Sequence, residues 1–148
     1  MSLNLEKLRE RIGTVLDDTI SPAGSWLKFR LLSAEKGKAV ATTVVRKEMC
    51  NPYGHIHGGM MSLVIDEIIG FAVLSLDAPS HYTSINLNVD FLYAIKEGDT
   101  LRAEATVIRH GKKIIHVAAE VYHNDNNTLL ARASSNLVVT NMPIVGAS

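Results

Sequence analysis

Between Met60 and Leu76 the chain is apolar apart from two serines, one glycine and two adjacent acids, Asp66 and Glu67, the only formal charges between Glu48 and Asp77. An ionised carboxylate inside such a segment is costly unless it is paired or put to use. The longest apolar stretch free of charge, Ile68 to Leu76, is nine residues, whereas a bilayer span needs about 20. The segment therefore predicts a long helix inside a soluble domain, apolar on nearly every side. One sheet face does not cover such a helix, so a second subunit is the economical cover for the remainder.

The chain has 148 residues, enough for one domain with a real core and not for two. We expect a single domain over 1–148, with its core at about 26–140. Fifteen basic and fifteen acidic residues cancel, with no block of like charge. That balance points away from nucleic acid and membrane as partners and permits self-association. The single cysteine, Cys50, has no internal disulfide partner, which fits a reducing compartment. Met1 to Lys7 lacks the basic start and apolar core of a signal peptide. A cytoplasmic location is expected.

Leu5, Leu8, Ile12, Val15 and Leu16 recur at helical spacing, which predicts an N-terminal amphipathic helix with Asn4 as its cap. Ser21-Pro22-Ala23-Gly24-Ser25 reads as a break. Leu27, Phe29 and Leu31 alternate with Lys28 and Arg30 as a strand, and Glu35 to Lys38 turns it into a second strand, Ala39 to Val45. After the central helix, Pro79 supports a stop. From Tyr82 the period is two, placing Ile85, Leu87, Val89 and Phe91 on one face and Ser84, Asn86, Asn88 and Asp90 on the other. Three more strands follow across short polar turns, so they should be antiparallel neighbours. The order predicts an α+β layer, one sheet with a helix across it.

The loop Asn51 to Gly59 leads into the central helix and ends in Gly58-Gly59. Glycine admits close approach to the backbone, and the first N–H groups of a helix lack internal partners and carry partial positive charge. Such a start suits an oxyanion. From composition alone, a plain loop end is an equal alternative. Asp66 lies eight residues after Gly58, about 12 Å along the axis. Reacting groups must come within roughly 3.5 Å, so if both are catalytic the site should span two antiparallel helices of a dimer. Asp66 and Glu67 point about 100° apart, so only one serves a given site. Leu63, Val64, Ile65, Ile69 and Gly70 around Asp66 argue for its burial, whereas Glu67 is expected to be solvated or salt-bridged.

Asn51, the Gly54 to Gly59 run and Asp66 nine positions after His57 resemble the hotdog-fold acyl-CoA thioesterases of the 4-hydroxybenzoyl-CoA thioesterase-like, phenylacetate-pathway subgroup. The likeness continues through Thr83 to Leu92, Gly98-Asp99 and Arg109-His110-Gly111-Lys112, covering about Leu27 to Thr140. The resemblance implies a hotdog domain, an antiparallel sheet wrapped around the long helix, here with an extra N-terminal helix. It implies homodimers that pair into dimers of dimers, an acyl-CoA substrate, and no cofactor beyond the coenzyme A of the substrate. It also implies that Gly58 polarises the thioester carbonyl, that Asn51 orients thioester and water, and that Asp66 of the partner chain is base or nucleophile, with Ser84 holding the water. Val64-Ile65 stand where Leu-Ala is usual, so Ile65 would narrow the acyl pocket.

Arg109, Lys112 and Lys113 surround one turn and suit the phosphates of coenzyme A, with a solvated basic turn as the equal alternative. His57 is expected to shape the substrate-binding loop with Gly59 rather than to move a proton. Cys50, His55 and His57 lack zinc-site spacing, so no metal is expected. A hotdog hydratase or dehydratase and a non-catalytic acyl-CoA binder are the alternatives to a hydrolase.

Overall fold

The computed structural model describes residues 3–145; residues 1–2 and 146–148, the ends of the expected 1–148 domain, lie outside it. The first helix, α1 (Leu5–Glu10), starts as expected, with the Asn4 side chain accepting the Lys7 N–H at 2.9 Å. It is shorter than the apolar spacing predicts. Gly13 takes φ +85°, and Val15–Leu16 form a strand, β1, beside β2 (Phe29–Glu35). Leu16 is still fully buried, but from a strand.

Ser21-Pro22 does not end structure; it begins the helix α2 (Pro22–Leu27). The Ser21 hydroxyl accepts the Gly24 N–H, and proline occupies the first turn, where its missing N–H is no loss. Leu27 closes that helix instead of opening a strand, and Lys28 in the left-handed region turns the chain into β2. Gly37, at φ +78°, turns β2 into β3 (Lys38–Val44). A single 3-10 turn, Lys47–Met49, precedes the loop to the central helix α3 (Gly58–Leu74). Then come β4 (His81–Phe91), β5 (Thr100–His110), β6 (Ile114–His123) and β7 (Leu129–Thr140).

All strands join one antiparallel sheet in the order β1-β2-β3-β5-β6-β7-β4, so β5, β6 and β7 are neighbours as the short turns required. Beneath the helix the inner face is lined with alanine. Ala39, Ala105, Ala119 and Ala133 form one cross-strand row, and Ala41 pairs with Ala103 beside it. Small side chains let α3 sit deep against β3, β5 and β6. Its Val64, Ile65, Ile68, Ile69 and Ala72 are fully buried there. At its far end the Ser75 hydroxyl accepts the Gly37 N–H at 2.8 Å and donates to the Ala72 carbonyl, fixing the helix to the β2–β3 turn. Among the described residues no helix is long and apolar enough to cross a membrane.

In β4 the simple alternation fails. Pairing with β7 shifts between Ser84 and Asn86, leaving Ile85 as an extra residue that is 58% exposed. Such a bulge resets which side chains share a face. Ser84 therefore turns toward α3 on the same side as Leu87 and Val89, not with Asn86 and Asn88.

Ile65 is core, packed with no exposure, and does not line the cavity at the helix start. Ile65→Ala should thus cost about 2–5 kcal/mol in stability, read as a lower denaturant midpoint, rather than open an acyl pocket.

Candidate functional site

The loop before α3 is held by one side chain. Asn51 Oδ1 accepts the N–H groups of Tyr53 (2.9 Å) and His55 (3.2 Å), while the Asn51 N–H donates to the His55 carbonyl at 2.7 Å. Gly54 supplies the positive φ that this tight turn needs. Because the oxygen of Asn51 is committed to the backbone, its NH₂ group is left without a partner among the described residues.

His57 caps the helix. Its Nδ1 accepts the Gly59 N–H at 2.9 Å, and its carbonyl accepts the Met61 N–H. A Cβ on Gly59 would sit 3.1 Å from that ring nitrogen, so the cap is built for glycine. The Gly58 N–H, one position earlier, finds no acceptor among the described residues. Gly58 and Asn51 line a cavity of about 310 Å³, whose opposite wall comes from the end of β4 and the residues after it, with Phe91 against Gly58. His57 and Gly59 thus shape the donor end of the helix, and neither lines the cavity.

The two acids of α3 exchange the places expected for them. Asp66 is exposed on the single chain, on the face that its own sheet leaves open, and accepts the Ser84 hydroxyl at 3.2 Å. Of its neighbours in sequence, Val64, Ile65 and Ile69 are buried against the core, whereas Leu63 and Gly70, which share its side of the helix, are only partly covered. Glu67 is the partly buried acid. It makes no salt bridge among the described residues; instead Ser21 Oγ donates to its Oε1 at 2.9 Å, and Gly24 leaves room for the carboxylate. Burial raises its pKa above the usual carboxylate value, the Ser21 bond opposes the rise, and the charge of Asp66 adds to it. Nothing in the sequence pairs Ser21 with Glu67, 46 residues apart.

Arg109, Lys112 and Lys113 converge on a second cavity of about 450 Å³, with His116 and Asn136 on its wall. None of the three cations forms an ion pair among the described residues. His116 Nδ1 lies 2.8 Å from Asn136 Oδ1. Within one chain the structure therefore makes three groups: Asn51 with Gly58, Asp66 with Ser84, and the basic turn. Among the described residues no three His, Cys, Asp or Glu side chains are placed to hold a metal ion.

The family model of the Thioesterase superfamily matches residues 53–130, from the loop before α3 into β7. The chain belongs to this superfamily. It is a thioester hydrolase. Human acyl-coenzyme A thioesterase 13 is 26% identical over 105 residues, which are 71% of this chain and 75% of that protein. The crystal structure of zebra fish thioesterase superfamily member 2 superposes with a TM-score of 0.78 at 25% identity, covering 94% of this chain and 100% of the other. The E. coli PaaI protein of the phenylacetic acid degradation operon gives 0.75 at 25% identity, over 81% and 85%. The hotdog architecture and the subgroup resemblance read from the sequence agree with these likenesses.

Glu67 also gives the fold of this thioesterase a pH dependence. With its folded pKa raised, its contribution is fully present below the ordinary value of 4.5 and is lost as pH rises through the raised value. Ionised Glu67 is thus a net cost near neutrality. Glu67→Gln, which keeps an acceptor for Ser21, should raise Tm at pH 7–8 on the order of a few degrees. The gain should vanish near pH 4, as thermal scans at the two pH values will read.

Proposed function

We propose that the protein hydrolyses an acyl-CoA to the free acid and CoA, in paired sites shared between two chains. One chain contributes Gly58 and Asn51, and its partner contributes Asp66 and Ser84. What carries this is the separation of two features on one helix. A free N–H stands at Gly58 and an exposed carboxylate at Asp66, about 12 Å apart along the axis, so no single thioester carbon reaches both. An antiparallel second α3 would bring each beside the complement of the other, and would cover the open helix face.

In that site the thioester oxygen sits on the Gly58 N–H, assisted by the free NH₂ of Asn51. Asp66 takes a proton from a water that Ser84 helps hold, and the water oxygen bonds to the carbonyl carbon. The carbonyl electron pair moves onto oxygen, where the helix start holds it. Collapse breaks the C–S bond, and Asp66 returns the proton to the departing CoA thiolate. The unpaired cations Arg109, Lys112 and Lys113 hold phosphates of the coenzyme, with the planar guanidinium suited to two-point contact. No metal or redox cofactor is required, and the protein acts as a cytoplasmic homodimer or dimer of dimers.

Asp66→Ala should lower kcat by about 10²-fold or more while changing KM little, measured as thiol release from acyl-CoA. Turnover near wild type in that variant would end the proposal.

A further inference from the structure

The cavity beside Gly58 has a chemical character of its own. No charged side chain lines it. Its walls are mostly apolar, with Ile56, Met61, Leu92 and Leu130, and the polar side chains on them are those of Asn51, His55 and Tyr93. The cations of the chain that suit phosphate gather in the other cavity. Phe91 stands at the end of β4, held there by pairing with Ala131 of β7, so the sheet and not a loop places its ring. The ring edge crowds the helix start: a Cβ on Gly58 would meet Phe91 Cζ at 3.4 Å and its two Cε atoms at 3.6 and 3.7 Å. Yet Phe91 is 58% exposed. A large aromatic left open beside an unsatisfied N–H presents a stacking surface to whatever is bound to that N–H.

We propose that Phe91 sets the acyl specificity of the enzyme, and that this cavity takes the acyl group, a short or single-ring one. The inference rests on the hydrolase function proposed above and adds the class of substrate. A thioester whose oxygen is on Gly58 directs one of its two arms into the cavity. The pantetheine arm carries amides and leads to phosphates, and these walls hold no cation for a phosphate and, beyond Asn51, His55 and Tyr93, no polar side chain for an amide. The acyl arm needs only apolar surface. At about 310 Å³, the cavity lies at the small end of ligand sites, which run from about 300 to 1,000 Å³. A long chain exceeds it; a butanoyl or benzoyl group does not.

The test compares wild type, Phe91→Ala and Phe91→Trp on butanoyl-, benzoyl- and dodecanoyl-CoA, with free CoA as inhibitor. Wild type should favour the two small substrates. Phe91→Ala should shift the dodecanoyl-to-benzoyl ratio of kcat/KM upward by about 10-fold or more. Phe91→Trp should shift it downward, and inhibition by CoA should not change. Opposite shifts from opposite changes of size do not arise from loss of folding. An unchanged ratio in both variants overturns the inference alone. So does a loss that is equal for every acyl-CoA and for CoA itself, which would put the coenzyme arm against Phe91. If wild type releases no thiol from any of the three, the hydrolase function fails first and the acyl assignment falls with it.

Discussion

A helix advances about 100° per residue, and that rotation separates Asp66 from Glu67. One acid turns toward α2, where the Ser21 hydroxyl and the space at Gly24 receive it. The other turns to the face that the sheet leaves uncovered, where Ser84 reaches it. Shifting the register of α3 by one residue would exchange them and leave neither in place. The alanine rows under the helix and the Ser75 contact at its end hold that register. Core packing and the chemistry of the acid are thus one constraint.

The start of the helix shows the same economy. The first N–H groups of any helix lack internal acceptors, and a protein can fill them or leave them for a ligand. Here His57 takes the N–H of Gly59, and Asn51 spends its oxygen on the loop. What is left over includes the Gly58 N–H and the Asn51 NH₂, both donors, beside a cavity with no acidic or basic side chain other than His55. Donors alone suit an oxygen that gains negative charge, as the carbonyl of a thioester does when attacked.

Much of this was legible in the chain. The apolar run predicts the buried helix, the period of two predicts the later strands, and Gly58-Gly59 with Asp66 predicts two separate functional ends. The errors have physical causes. Ser-Pro reads as a breaker, yet it is also a cap followed by a favourable first residue, and the α2 helix uses it so. The bulge at Ile85 depends on the pairing of β4 with β7, which local alternation does not encode. Ser84 faces the helix only because of it. The sequence around Asp66 argues for burial, but Val64, Ile65 and Ile69 lie on the buried side of the helix, and Leu63 and Gly70 beside the acid are only partly covered. In the alternating pattern Phe91 is one more strand residue; its place over Gly58 depends on the fold.

Mixing two inactive variants tests the shared site most directly. Asp66→Ala keeps an intact Gly58–Asn51 end, and Asn51→Ala keeps an intact Asp66. In a hybrid dimer one of the two sites draws only on undamaged parts. Unfolding and reassembling an equal mixture should restore about a quarter of wild-type turnover, since half of randomly paired dimers are hybrids with one sound site each. Each variant reassembled alone should stay near background. No recovery in a mixture shown to contain hybrids would contradict the account, because it would mean that each chain builds its site from its own residues.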